Sequence, residues 1–106
     1  VIEYLASPYT HTDATVRQAR YEAACRAAAE LMLRGRVVFS PIAHSHPIEA
    51  HMPHAQSEEF WLRQCRPLLQ ACSRVAVLCL DGWQESRGLA EEIRIARERG
   101  IQVHFL

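Results

Sequence analysis

Short apolar runs alternate with helix-period segments along the whole of this chain, and that alternation restricts its fold more than any other feature. Val1 to Ala6 reads as a first strand, closed by Ser7-Pro8. Asp13 or Thr12 stands where it would cap a helix reaching to about Arg34, with Val16, Ala19, Ala23, Ala27 and Leu31 inward at spacings of three and four. A stripe this rich in Ala lets a helix lie close on a sheet, and Gly35 is a natural stop. Arg36 to Ser40 reads as a second strand. Pro41 to Gln56 holds three Pro and four His without helical or strand periodicity, so a long functional loop is expected there. Ser57, followed by Glu58 and Glu59, opens a second helix with Trp61, Cys65, Leu68 and Cys72 on one face, which Pro67 is expected to kink or split. A third strand covers Arg74 to Leu80. A third helix runs from Ser86 to Arg99, with Leu89, Ile93 and Ala96 inward, and Ile101 to Leu106 forms a last strand.

Strand and helix in strict alternation call for right-handed crossovers and a parallel sheet covered on both faces. We therefore expect one α/β domain over residues 1–106, Rossmann- or flavodoxin-like in three layers. Its parallel sheet should have four or five strands in the order 2-1-3-4. Ligands on such sheets sit beyond the carboxyl ends of the strands, where the strand order reverses. The loops after Ala6, Ser40 and Leu80 then share one edge.

Composition removes several classes of function. Formal net charge is zero, so no basic field exists to hold a nucleic-acid polymer. All basic residues are Arg; the absence of Lys excludes a Schiff-base lysine and a P-loop nucleotide site. No apolar run is long enough to span a bilayer, and no membrane partner is expected. Cys25, Cys65, Cys72 and Cys79 form no C-x-x-C pair and read as free thiols in a reducing cytoplasm. The chain starts at Val1 with no signal-peptide pattern, and a few leading residues are expected to precede it.

The most informative stretch is Asp81-Gly82-Trp83-Gln84-Glu85-Ser86-Arg87-Gly88-Leu89-Ala90-Glu91-Glu92. It joins a buried strand to a helix start. Ser86 can cap that helix, Gly88 lets backbone N–H groups approach a ligand, and Glu92 lies one and a half turns in. A strand end, a small-residue turn and a helix N-terminus together make an anion site, and a carboxylate set just behind it is a candidate catalytic group.

Together with Tyr4-Leu5-Ala6-Ser7-Pro8, the Ala-rich helix, Ser45-His46-Pro47-Ile48 and Gly82-Trp83, the pattern Ser86-x-Gly88-x-x-x-Glu92 resembles the nucleoside 2-deoxyribosyltransferase-like superfamily. The similarity runs over essentially the whole chain and points to small bacterial members. The resemblance implies that Glu92 attacks the anomeric carbon of a 2′-deoxynucleoside, giving a glycosyl ester that water or a second base resolves. It further implies that Tyr4 orients Glu92 and that Ser7, Ser86, Gly88, Asp81 and Trp83 contact substrate. Ser86, where nucleoside transferases have Asp, is similar to the branch that hydrolyses nucleoside 5′-monophosphates. No cofactor is implied, and relatives that complete their sites with a neighbouring subunit imply a homodimer or homotetramer. One position departs from the family pattern. Cys65 stands where many members carry an Asp that binds sugar or protonates the leaving base, and a thiol does not replace it.

Each of these residues also has an ordinary reading. Tyr4 can be a core tyrosine with a satisfied hydroxyl. Gly88 can relieve helix–sheet crowding, and Trp83 can cover the sheet edge rather than stack on a base. His44, His46, His51 and His54 match no familiar metal-ligand spacing, so no metal is expected and His46 is expected to line a lid or donate a proton. Arg17, Arg20 and Arg87 can meet a phosphate or remain solvated. Two further functions stay open beside glycosyl transfer: a nucleotide-binding module without turnover, and a metal-dependent hydrolase using the His-rich segment.

Overall fold

The computed structural model describes residues 1–106. Four strands and four α-helices follow in the order β1 (Glu3–Ala6), α1 (Ala14–Leu33), β2 (Val38–Phe39), α2 (Pro41–Glu49), α3 (Glu58–Gln70), β3 (Arg74–Val77), α4 (Arg87–Glu98) and β4 (Gln102–Phe105), with two helices rather than one between β2 and β3. A single 3-10 turn, Trp83–Glu85, precedes α4. The sheet is parallel throughout, in the order β2-β1-β3-β4. Tyr4 lies in register with Phe39 on one side and Val75 on the other. The order reverses between β1 and β3, so the crevice expected for a ligand opens beyond Ala6 and Val77.

Both central strands are buried on both faces, which is why their sequences read as apolar runs rather than alternating ones. Successive side chains still point to opposite sides. Tyr4, Ala6, Val75 and Val77 pack with Leu69, Leu89, Ile95 and Ala96 beneath α3 and α4. Leu5 and Ala76 meet Ala28 and Leu31 of α1 on the other side. Asp13 caps α1 by accepting a hydrogen bond from the Thr15 N–H at 2.8 Å.

Several expectations need correction. The segment after Pro41 is a helix to Glu49, not a loop. Ser40 accepts from the Ala43 N–H at 3.1 Å, and Pro41 at the first helical position has the φ that position wants. Pro47 and the absence of an apolar stripe hid this helix. Pro67 does not split α3, which runs unbroken through it. Burial of Leu69, together with partial burial of Trp61 and Cys65, outweighs the one lost hydrogen bond. The inner face of α1 is rotated by about one residue: Ala24, Ala28 and Leu31 are buried, while Ala19 is exposed. A helix so rich in Ala offers little contrast between faces for periodicity to find. In α3, Leu69 rather than Leu68 points inward, and in α4 Glu92 and Ile95 are more buried than Ile93.

Candidate active site

A cleft opens at the carboxyl edge of the sheet. Its walls come from the segment after β1 (Ser7, Tyr9), from α2 (Ser45, His46), from α3 (Trp61, Cys65) and from the start of α4 (Ser86, Gly88). Glu92 forms its floor and is only 9% exposed. The crossovers after β1, β2 and β3 thus supply the walls, the one after β2 giving two of them, α2 and α3.

Glu92 sits there because α4 presents it one helical turn from Leu89 and Ile95 on its buried face. Tyr4, fully buried on β1, donates its hydroxyl hydrogen to Glu92 Oε2. The pair is 88 residues apart in sequence. No Arg or His is paired with this carboxylate, and Oε1 stays free toward the cleft. Burial without a cation disfavours the charged form, so the carboxyl is pushed up to about 7, with the Tyr4 hydrogen bond pulling partly the other way. Burial, then the Glu92 charge, hold the Tyr4 hydroxyl well above its ordinary value, so it remains a donor. Cys65 beside them is pushed up to about 11, chiefly by burial and next by Glu92. It is a protonated, unreactive thiol.

Ser86 caps α4, its Oγ accepting from the Leu89 N–H at 3.2 Å. The helix start leaves Arg87 and Gly88 N–H without intrahelical partners. A methyl group placed at Gly88 would meet nothing within 4 Å, so this glycine relieves no helix–sheet crowding; it opens the helix start to the cleft. Ser7 is buried in the cleft wall, and its Oγ has no partner.

His46 is held from three sides. Tyr9 Oη lies 2.7 Å from Nδ1, Gln18 Oε1 lies 3.0 Å from Nε2, and the Tyr21 ring stacks on the imidazole at 4.2 Å. Gln18 gives its own N–H to Glu22, so its oxygen faces the histidine and accepts. The network therefore assigns the proton to Nε2 and makes Nδ1 the acceptor of the Tyr9 hydroxyl. Both ring nitrogens are thus engaged within the protein, one by Tyr9 and one by Gln18.

Asp81 and Trp83 lie outside the cleft, although they are close to Ser86 in sequence. Asp81 is exposed on the α1 side of the sheet edge, and its carbonyl accepts from Arg20 Nη2 at 3.0 Å. Trp83 packs on Phe105 at 5.5 Å and on the core beneath α4, so it covers the sheet edge. Arg20 also donates to Thr10 O at 3.1 Å, and Arg17 donates to His11 O. Both are bound to loop carbonyls, while Arg87 is exposed. No group of three His, Cys, Asp or Glu converges as a metal site. The sequence reading missed Tyr9, Glu49 and Glu58, which all line the cleft. For Glu58 a signal existed, since it shares a helical face with Trp61, Leu62 and Cys65. For Glu49 it was lost with α2.

The sequence matches, over residues 1–106, a family model described as a domain of unknown function (DUF1937). No curated protein matches the chain. Among solved structures it is similar to a 2-deoxyribosyltransferase from the psychrotolerant bacterium Bacillus psychrosaccharolyticus, described as a biocatalyst for the synthesis of antiviral and antitumoral nucleosides. The TM-score is 0.68 at 18% identity, over 99% of this chain and 71% of that one. The fold is therefore nucleoside 2-deoxyribosyltransferase-like. No helix is long and apolar enough to cross a membrane.

Proposed function

The chain belongs to the family described as a domain of unknown function (DUF1937), and we propose that it cleaves or exchanges the N-glycosidic bond of a 2′-deoxynucleoside or its 5′-monophosphate. One observation carries this reading: a buried carboxylate on the cleft floor, unpaired by any cation, oriented by Tyr4 and open on one oxygen. Such a group is a poor structural element and a good nucleophile once ionised.

The free Glu92 oxygen attacks the anomeric carbon as the bond to the base breaks. The resulting glycosyl ester is resolved by water in hydrolysis or by a second base in exchange. Tyr4 keeps its proton throughout and fixes the direction of attack. Ser7 Oγ and the Gly88 N–H are placed to meet sugar hydroxyls, and Ser86 holds the helix start that presents Gly88. A 5′-phosphate would rely on that helix start alone, because no Arg or Lys lines the cleft. Self-association into a dimer or tetramer belongs to the same proposal.

The thiol of Cys65, which cannot protonate a leaving base, favours a second reading: a module that binds nucleosides without turnover. Incubation with a panel of 2′-deoxynucleosides and their 5′-monophosphates, with chromatography for free base, separates the two. Base release by wild type that disappears in Glu92→Ala, with ligand binding and fold retained, supports catalysis. Wild-type activity in Glu92→Ala would exclude the covalent route.

A further inference from the structure

We propose that the cleft is built for nucleosides whose base already carries a positive charge, that is, a quaternised heteroaromatic such as a pyridinium or an N7-alkylated purine. The inference rests on the N-glycosidic reading above and narrows it to one substrate class.

The charge of the walls is one ground. Glu49, Glu58 and Glu92 line the cleft, and no Arg or Lys does. Neither Glu49 nor Glu58 forms an ion pair elsewhere in the molecule. Glu49 and Glu58 thus bring formal negative charge to the walls with no cation in the lining to cancel it, so the field in the cleft favours a cation.

The shortage of proton donors beside the nucleophile is the other ground. A neutral purine or pyrimidine must gain a proton as it leaves, and a positioned general acid is worth about 10²–10⁴-fold. The side chains against Glu92 are Tyr4 and Cys65, and burial holds the protons of both. Both nitrogens of His46 are engaged. Glu58 lies two helical turns, roughly 10 Å, from Cys65 along α3, and Glu49 ends α2 at its far end from the sheet. A base that is already cationic needs none of them. The buried, unpartnered Ser7 Oγ in the same wall marks the cleft as one that awaits a polar ligand.

The step balances without a co-reactant other than water. A Glu92 oxygen bonds to C1′ while the C1′–N bond breaks. The electron pair of that bond cancels the charge on the ring, and the base leaves neutral. Water oxygen then bonds to C1′ as the ester bond breaks, restoring the carboxylate and releasing one proton to solvent.

Matched pairs test this: 7-methyl-2′-deoxyguanosine against 2′-deoxyguanosine, and the 2′-deoxyriboside of nicotinamide against that of cytosine. Each rate is divided by its uncatalysed hydrolysis, and free base is read by chromatography. We expect kcat/KM, so corrected, to be about 100-fold higher for the cationic member, the scale of a missing general acid. Glu49→Gln combined with Glu58→Gln should raise KM for the cation about fivefold rather than lower kcat. Equal corrected rates, or a preference for the neutral member, overturn this inference and leave the glycosidic reading standing. An unaltered KM for the cation in the double variant overturns the inference as well. Cleavage of neither member by folded wild-type protein, with or without an added acceptor base, overturns this inference and the glycosidic reading together.

Discussion

Two buried carboxylates sit at opposite ends of the same sheet, and the molecule treats them differently. Glu3, at the amino edge, is 2% exposed, and its Oε2 accepts from Arg36 Nη2 at 2.5 Å and Arg74 Nε at 2.8 Å. Those partners come from the approach to β2 and from β3, so one charge stitches three neighbouring segments. Glu92, at the carboxyl edge, has a tyrosine and no cation. Burying a carboxylate costs several kcal/mol unless it is paired. At the amino edge that cost is offset by two guanidiniums. At the carboxyl edge it is left standing, as strain held at the floor of a cleft. The same residue type therefore serves architecture in one place and, on the function proposed above, reactivity in the other.

Exchanging either carboxylate for its amide puts that contrast to the test. Glu92→Gln should lower base release by at least about 10⁴-fold, the scale on which removal of a nucleophile is felt. Glu3→Gln should leave turnover per folded molecule near wild type. It should cost about 2–3 kcal/mol in urea unfolding, because both arginines, each about a third exposed, lose their partner. If Glu3→Gln abolished turnover in folded protein, the division of labour would fail.

Proton linkage sharpens the comparison. Burial holds the Glu92 carboxyl above its unfolded value of 4.5, at about 7, so its stabilising neutral form is complete below pH 4.5 and is lost as pH rises through about 7. Glu92→Gln should therefore be more stable than wild type by about 2–3 kcal/mol at pH 8 and by little at pH 4. Wild-type kcat/KM should climb about tenfold per pH unit below 7 and level off above it. A profile flat from pH 5.5 to 8 would assign the nucleophile's role elsewhere. Tyr4→Phe removes a hydrogen bond that lowers this value, so its rising limb should move to higher pH, by up to about one unit, with a lower plateau.

The smallest effect belongs to Arg20, which ties the loop after β1 to the turn after β3 through Thr10 O and Asp81 O. Gly82, at φ +83, lies so close that a Cβ there would stand 2.8 Å from Arg20 Nη2. Arg20→Met should raise KM about threefold to tenfold while lowering kcat less, since it loosens two walls without touching the floor. Arg20→Lys should recover only part, because one ammonium cannot span both carbonyls as the guanidinium fork does.

Much of this was legible in the residues themselves. Apolar runs such as Val75 to Leu78, the caps at Asp13 and Ser86, and the stops at Gly35 and Gly100 report local physics, and they were sufficient for element order and a parallel sheet. Sequence patterning failed where tertiary contacts decide the outcome. No local rule shows Leu69 burying α3 through Pro67, or His46 anchoring α2 between Tyr21 and Gln18. Asp81 and Trp83 neighbour Ser86 along the chain, yet around the turn at Gly82 Asp81 faces α1 and Trp83 packs on Phe105, both outside the cleft. The contact between Tyr4 and Glu92 crosses most of the sequence, and only the superfamily resemblance suggested it.

A cleft wall made of helix rather than loop has a consequence for how a ligand is received. Because α2 is capped at Ser40 and clamped to α1 through His46, little backbone entropy remains to be lost when the cleft fills. A ligand of the proposed class would then be selected against a fixed outline: an ill-fitting ring would be refused at the entrance instead of being accommodated.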